Sequence, residues 1–183
     1  MATRQRILLD VDGVLADFVS SALQVIERVT GKKPVPEVHH DWDMFKPYPK
    51  DVEDAFYREF KREGWCINLP VYPGARAGVD LLREYADVYY VTSPMSNAPY
   101  WAHERTLWLI RHFAANDRQV VHTNAKYVCV GDILVDDKIE HLQQWERHHP
   151  NGIPVLWDQP YNRKNTSYQR ARTWQDVLTH LKR

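Results

Sequence analysis

The sequence predicts an α/β fold: a parallel β-sheet with a small helical cap inserted after its first strand. Short apolar runs recur along the chain, and stretches with helical spacing alternate with them, which is typical of a parallel sheet. These runs are continuous rather than alternating, as expected for strands buried on both faces. The chain between the first two strands exceeds a bare crossover of about 30 residues by roughly fifty residues, and this surplus predicts the cap.

Five apolar runs are the predicted strands. They cover residues 6–12, 88–92, 119–122, 133–135 and 153–157. The cap is predicted over residues 17–72, and residues 1–16 and 73–183 then form the core domain. The cap segment is rich in aromatic side chains. Because it follows the first strand, we expect it over the carboxyl ends of the strands, where ligands bind in open α/β sheets.

Four helices are predicted from amphipathic spacing and end signals. The first three cover residues 17–30, 51–63 and 99–115. A glycine follows each of the first two, as is common at helix C-termini, and the third begins at Pro99, which a first turn tolerates. Thr173 and Asp176 have the spacing of a capping box and predict a closing helix.

Charge and composition exclude several classes of protein. The 183 residues include 24 Lys and Arg against 24 Asp and Glu. This balance argues against a nucleic acid polymer or a membrane surface as the main partner, and it neither requires nor forbids a homodimer. No apolar run approaches the roughly 18–20 residues that span a bilayer, and the N-terminus lacks a secretory profile, so we expect a cytoplasmic protein.

The cysteines and histidines do not indicate a metal centre. Cys66 and Cys129 lie outside any metal-binding spacing, and we expect two reduced thiols. Adjacent histidines at 39–40 and 148–149 have diverging side chains, so we expect no shared metal.

Polar side chains lie just beyond the ends of apolar runs. They are Asp10 and Asp12, Thr92 and Ser93, Lys126, and Asp136 and Asp137. Each has an ordinary explanation when taken alone: a hairpin turn, a strand-end turn, a surface lysine, or a charge cluster at a helix N-terminus. Together they would bring a nucleophile, hydroxyls, a cation and an acidic pair to one edge of one sheet.

Such a set of carboxylates requires a counter-charge. Three or four carboxylates at one edge repel one another and raise each other's pKa unless a cation neutralises them. Oxygen ligands without nearby His or Cys favour a hard cation, and a partly hydrated site that serves a phosphate favours Mg²⁺. We therefore expect Mg²⁺ among Asp10, Asp12, Asp136 and Asp137.

A phosphomonoester is a natural substrate for these residues. Uncatalysed hydrolysis of such esters is so slow that enzymes supply accelerations of up to about 10²¹, which demands strong stabilisation of charge. Asp10 would attack phosphorus and form an aspartyl-phosphate. Asp12 would protonate the leaving alkoxide if the strand continues far enough to hold it on the same side, and would then activate water. Thr92 and Lys126 would hold phosphoryl oxygens.

Four parts of the chain resemble the four motifs of the haloacid dehalogenase-like (HAD) phosphatases. They are residues 8–18, residues 91–94, Lys126 and residues 132–137. Four further details resemble the 5'(3')-deoxyribonucleotidases more narrowly. They are DVDGVLADF at 10–18, LPVYPGA at 69–75, the ten-residue step from Lys126 to Asp136, and WDQPYN at 157–162. The resemblance covers nearly the whole chain.

The resemblance implies a three-layer, Rossmann-like HAD fold and a Mg²⁺-dependent phosphatase. Its implied substrates are nucleoside monophosphates, with pyrimidine deoxynucleotides such as dUMP and dTMP foremost. It also implies Asp10 as nucleophile and metal ligand, and Asp12 as acid and base with its backbone carbonyl on the metal. Asp137 rather than Asp136 is implied as the last metal ligand.

The resemblance also implies residues that hold the substrate. Thr92 and Lys126, with the neighbouring hydroxyl of Ser93, would bind the phosphate. In the family an aromatic pocket of the cap holds the base, and candidates here are Phe18, Trp42 and Phe45.

Three other interpretations stay open. One is a phosphatase of the same superfamily that acts on sugar phosphates or another small metabolite. A second is a catalytically silent phosphate-binding domain. A third is a signalling receiver module, although a receiver carries its phospho-acceptor on a middle strand after the acidic pair, whereas Asp10 follows the first strand here.

Overall fold

The computed structural model describes residues 4–34 and 42–181. Within these residues the strands form one six-stranded, fully parallel sheet of order β3-β2-β1-β4-β5-β6. The strands are β1 (Arg6–Leu9), β2 (Asp87–Thr92), β3 (Val120–His122), β4 (Ile133–Asp136), β5 (Ile153–Trp157) and β6 (Gln169–Ala171). The strand order reverses at β1, which pairs with β2 on one side and β4 on the other. This arrangement confirms the predicted α/β, Rossmann-like class.

Six α-helices connect and cover the strands of the described chain. They are α1 (Phe18–Thr30), α2 (Lys50–Phe60), α3 (Ala75–Tyr85), α4 (Trp101–Phe113), α5 (Ile139–His148) and α6 (Trp174–Leu178). The Asp17 side chain caps α1 by accepting from the backbone N–H of Ser20 at 3.0 Å, and Gly31 ends the helix at a φ of +68°. The four predicted helices are confirmed as α1, α2, α4 and α6.

The first strand is shorter than predicted. It ends at Leu9 rather than at residue 12, although the backbone N–H of Asp10 still donates to the carbonyl of Val135 at 2.9 Å. The chain turns at Gly13, where φ is +78°, and Asp12 forms an isolated bridge with Ala16. Asp10 and Asp12 are therefore not oriented by the alternation of a continuing strand.

The segment between β1 and α3 leaves and rejoins the sheet through two paired connections. The backbone N–H of Asp17 donates to the carbonyl of Pro70, and that of Tyr72 donates to the carbonyl of Leu15, both at 2.8 Å. This segment carries α1 and α2, which pack against each other. The assignment of residues 17–72 as a separate cap stays a prediction.

Other sequence predictions can be compared with the described residues. Cys66 and Cys129 are both free thiols. The ring of His148 stacks on Tyr127, and that of His149 stacks on Trp145. The histidines at 39–40 lie outside the described residues. Within residues 4–34 and 42–181, none of the helices is long and apolar enough to cross a membrane.

Candidate active site

The predicted polar residues lie at the carboxyl edge of the sheet because parallel strands end there together. Asp10 follows β1, Thr92 is the last residue of β2, and Asp136 is the last residue of β4. Lys126 begins a short 3₁₀ turn (Lys126–Val128) that follows β3. The structure therefore brings these side chains, separated by up to 126 positions in sequence, to one edge.

Lys126 forms the centre of the site. Its ammonium lies 2.7 Å from Asp10 Oδ1 and 2.7 Å from Asp136 Oδ2, and all three side chains are buried. Burial disfavours the charged amine, but the two carboxylates outweigh it and raise the pKa of Lys126. Burial and the neighbouring Asp136 raise the pKa of Asp10 to about 6, although Lys126 partly opposes them. The lysine is thus a permanent cation between two carboxylates.

Asp136 is fully engaged by protein groups. Besides Lys126, it accepts from the backbone N–H of Lys138 at 2.9 Å, and His141 Nδ1 lies 3.0 Å from its Oδ2. Burial would raise the pKa of Asp136, but Lys126 and His141 together hold it well below its usual range. Both oxygens of this carboxylate therefore have partners.

Asp137 retains one oxygen without a partner. The Tyr161 hydroxyl donates to Oδ2, and Asn162 Nδ2 donates to the backbone carbonyl at 2.9 Å. Oδ1 is buried, and no group of the described chain bonds to it. Burial, Asp10 and Asp136 raise the pKa of Asp137 well above its usual value. A buried carboxylate oxygen of this kind is suited to a cation.

Asp12 pairs with an arginine that the sequence analysis did not identify. Arg105 Nη2 lies 2.5 Å from Asp12 Oδ1. The arginine side chain is 0% exposed, whereas that of Asp12 is 27% exposed. Burial raises the pKa of Asp12, and Arg105 opposes this shift. Asp12 is therefore the more accessible carboxylate of the site.

Two hydroxyls at the end of the strand next to β1 have no partner in the described part of the chain. Thr92 Oγ1 and Ser93 Oγ are both buried, and neither forms a hydrogen bond within the described residues. They lie at the end of β2, the strand next to β1. Because buried hydroxyls normally find partners, this pair is suited to a ligand that offers oxygen acceptors.

The charge balance of the buried residues fits a divalent cation. When all four carboxylates are ionised, Arg105 balances Asp12, and among the described residues Lys126 is the cation paired with Asp10 and Asp136. With His141 counted as neutral, two negative charges remain in excess, and hard oxygen donors suit Mg²⁺. Ligand atoms of Asp10, Asp136 and His141 lie within 4.8 Å of one another. Both oxygens of Asp136 have protein partners, whereas Oδ1 of Asp137 has none among the described residues.

The three aromatic candidates lie in two different places. Phe18 and Phe45 both contact Phe56, with ring centroids 6.0 and 4.8 Å away. Trp42 instead contacts Tyr161, with ring centroids 5.4 Å apart, and is 51% exposed. The Tyr161 hydroxyl is the group that donates to the Asp137 carboxylate. Their contacts therefore do not define one common ring pocket.

Three residues that contact the carboxylates of the site were not predicted from the sequence: Arg105, His141 and Tyr161. Arg105 had a usable signal, since it shares the helical spacing of Trp101 and Trp108 on a buried face and a charge there requires a partner. Tyr161 lies in the WDQPYN segment that resembles the family, but that resemblance did not assign it a role, and nothing in the sequence singled out His141.

Curated relatives match the chain over nearly its whole length. The family model for 5' nucleotidase, deoxy (pyrimidine), cytosolic type C protein matches residues 4–182. The human cytosolic type 5'(3')-deoxyribonucleotidase is 30% identical over 187 residues, covering 96% of this chain and 92% of the human one. A Bordetella pertussis protein assigned as a 5'(3')-deoxyribonucleotidase is 31% identical over 178 residues, covering 94% of each chain.

Solved structures share the fold. A HAD-superfamily hydrolase of subfamily IA from Geobacter sulfurreducens has a TM-score of 0.60 at 15% identity, covering 98% of this chain and 97% of the other. A Bacillus subtilis protein assigned as a HAD hydrolase, solved with bound magnesium, has a TM-score of 0.57 at 12% identity, covering 97% and 98%. These likenesses show the fold, and the family match shows the activity class. The chain is a phosphoric monoester hydrolase and belongs to the 5' nucleotidase, deoxy (pyrimidine), cytosolic type C family.

Proposed function

We propose that this hydrolase releases phosphate from nucleoside monophosphates, chiefly pyrimidine deoxynucleotides such as dUMP and dTMP, in a Mg²⁺-dependent reaction. The observation that carries the proposal is a pair of buried hydroxyls, Thr92 and Ser93, which have no partner among the described residues and lie at the same edge of the sheet as the Asp10–Lys126 ion pair. A phosphoryl group offers oxygens that accept from both hydroxyls and from the ammonium. The names of the relatives support a deoxynucleotide substrate, and the cytosolic human relative supports a cytoplasmic location.

Asp10 is the proposed nucleophile. Its Oδ1 accepts from the backbone N–H of Val11 and from Lys126, both at 2.7 Å, which leaves Oδ2 for attack. As the bond from Oδ2 to phosphorus forms, the bond from phosphorus to the nucleoside oxygen breaks, giving an aspartyl-phosphate. Lys126, Thr92 and Ser93 hold the phosphoryl oxygens while their negative charge is redistributed.

Asp12 is the proposed acid and base. In its protonated form, Asp12 donates a proton to the departing nucleoside oxygen, so that an alcohol rather than an alkoxide leaves. The resulting carboxylate takes a proton from water, and the water oxygen attacks phosphorus. As this bond forms, the bond from phosphorus to Asp10 Oδ2 breaks, inorganic phosphate leaves, and Asp10 is again a carboxylate and Asp12 again a protonated acid.

Asp10, Asp137 and the backbone carbonyl of Asp12 are the proposed ligands of the cation. When bound, Mg²⁺ supplies positive charge to the phosphoryl oxygens. The magnesium in the Bacillus subtilis structure supports this choice of ion. Asp136 acts beside these ligands by holding Lys126 and accepting from Lys138.

Trp42 is the proposed contact for the base. Trp42 is half exposed, and its ring lies against Tyr161, a partner of Asp137. Stacking of an aromatic side chain on a base contributes about 1–3 kcal/mol. Phe18 contacts four other rings, which favours a packing role over contact with a base. Because fewer rings are then available to hold a base, a sugar phosphate is the second candidate substrate.

A phosphate-release screen tests this function. Purified protein is assayed with Mg²⁺ on deoxynucleotides, ribonucleotides and sugar phosphates, with malachite green as the readout. We expect dUMP and dTMP to be turned over fastest, whereas faster turnover of sugar phosphates would overturn the nucleotide assignment. Asp10→Asn should abolish turnover, and Asp132→Asn, at the opposite edge of the sheet, should not. Retained activity in Asp10→Asn would mean that another group attacks phosphorus.

A further inference from the structure

Arg105 is a buried arginine whose guanidinium contacts the proposed acid and base. We propose that Arg105 is a positioning residue for proton transfer: by holding Oδ1 of Asp12, it presents the other carboxylate oxygen to the leaving group. The bond from Arg105 Nη2 to Asp12 Oδ1 is 2.5 Å long. This inference rests on the proposed function, because Asp12 must deliver the proton that Arg105 helps to aim.

Packing alone does not account for an arginine at this position. Its side chain is 0% exposed, and its Nε and Nη1 form no hydrogen bond within the described residues. Removing a guanidinium from water is costly unless its hydrogen bonds are replaced, so an apolar side chain would serve a purely structural role better. The one hydrogen bond that the structure describes for the Arg105 guanidinium goes to Asp12. This bond gives a reason for a charged side chain at this buried position.

The surroundings of Arg105 hold its guanidinium in place. It lies 4.9 Å from the ring centroid of Trp101 and 5.3 Å from that of Trp108, two residues on the same face of α4. Trp108 Nε1 in turn donates to the carbonyl of Leu69 at 2.7 Å. Aromatic rings that contact a guanidinium restrict its motion, so the bond to Asp12 has a defined direction.

The neighbouring residue holds α4 itself in place. Glu104 accepts from the backbone N–H groups of Gly64, Cys66 and Ile67 at 2.6, 3.0 and 3.2 Å. Glu104 thus bonds to the segment before α3, and the adjacent Arg105 bonds to Asp12. Proton transfer requires hydrogen-bond reach and orientation, which a helix anchored in this way supplies.

The test uses two substrates that differ in their need for a proton. A nucleoside leaves from dUMP as an alcohol, whereas 4-nitrophenolate leaves from 4-nitrophenyl phosphate as a stable anion. The value of kcat/KM reports the steps up to release of this leaving group. Since general acids contribute about 10²–10⁴-fold, we expect Arg105→Met to lower kcat/KM for dUMP about 10- to 100-fold and for 4-nitrophenyl phosphate less than about 3-fold.

A double-mutant cycle separates positioning from structure. In the Asp12→Asn background, Arg105→Met should change kcat/KM for dUMP by less than about 3-fold, because no proton donor remains to be positioned. Arg83→Met is the matched control, since the Arg83 guanidinium bonds to Tyr90 and to the Phe113 carbonyl rather than to Asp12. It should affect both substrates equally.

The outcomes that would overturn the proposal are distinct from failure of the proposed function. Equal losses on the two substrates, or a full loss that persists in the Asp12→Asn background, would show that Arg105 acts only on structure. If Arg105→Met does not fold, the polar but uncharged Arg105→Gln must show the same substrate contrast, and the absence of that contrast in a folded Arg105→Gln would overturn the proposal. If wild-type protein leaves dUMP intact, the proposed function is contradicted and not the role of Arg105. The test of Arg105 then uses, in place of dUMP, an alkyl phosphate that the wild-type protein does hydrolyse.

Discussion

Removing the charge of Lys126 tests whether one buried cation holds the carboxylates of the site together. The ammonium lies 2.7 Å from both Asp10 and Asp136, and the side chain is 1% exposed. Lys126→Met keeps an unbranched apolar stem but removes the charge. Asp10, Asp136 and Asp137 would then share a buried region without the lysine charge that separates them.

We expect Lys126→Met to lower the free energy of unfolding by about 3–5 kcal/mol, because removing one partner leaves a buried charge uncompensated. The bare Coulomb attraction at this distance would suggest more, but the cost of desolvating the native ions offsets much of it. In a chain of 183 residues each kcal/mol shifts the melting midpoint by about 2–4 °C. The midpoint should therefore fall by about 6–20 °C.

Urea unfolding followed by circular dichroism measures this change. The assay is run at neutral pH with EDTA, because a bound divalent cation would replace part of the missing charge. Adding Asp136→Asn to Lys126→Met should restore about 1–3 kcal/mol, since the amide removes one unpaired charge. Lys50→Met is the control: Lys50 forms exposed ion pairs with Glu53 and Asp54, and its loss should hardly change the midpoint.

A loss of less than about 1 kcal/mol in Lys126→Met, which is the value typical of a surface ion pair, would refute the argument. So would a double variant that is no more stable than the single one. Either result would mean that water or another group already neutralises these carboxylates.

Three further changes test the turn after Asp12, the rim and the closing helix. Gly13→Ala should cost about 1–3 kcal/mol and reduce turnover, because φ is +78° and a Cβ there would overlap the Asp137 carboxylate. Trp42→Ala should raise KM for dUMP about 5- to 150-fold and hardly change it for 4-nitrophenyl phosphate, as loss of stacking predicts. Backbone N–H groups lower the pKa of Asp176 below 3.8, so its stabilisation is complete above that pH and is lost as the pH falls through the folded value. Asp176→Ala should therefore lower the melting midpoint at neutral pH but not in strong acid.

Each of these predictions has a control and a contradicting result. Gly31 also has a positive φ, but a Cβ added to it would meet no atom within 4 Å, so equal effects of Gly31→Ala and Gly13→Ala would contradict the overlap argument. Tyr85 is an exposed aromatic of α3, and Tyr85→Ala should leave KM unchanged. Equal KM changes for both substrates in Trp42→Ala would assign the indole to packing. An effect of Asp176→Ala that does not weaken as the pH falls below 3.8 would contradict the titration argument.

Much of the fold could be predicted from local pattern. The apolar runs that became β1, β2, β4 and β5 are continuous because those strands are buried on both faces, and that property is visible in the sequence. The strand Gln169–Ala171 was not predicted, because it has no apolar run and forms by pairing with the edge of β5. The early end of β1 was missed because it depends on a turn that other segments support.

The positions of Asp10, Thr92, Lys126 and the acidic pair after predicted strands were enough to predict that they lie at one edge. The reason is that parallel strands end on the same side of a sheet. The choice of partners was not predictable in this way. Lys126 bonds to Asp10 and Asp136, and Arg105 bonds to Asp12. Chain order indicates which strand end a charge follows, but hydrogen bonds and ion pairs depend on distances in space between elements that fold from remote parts of the chain.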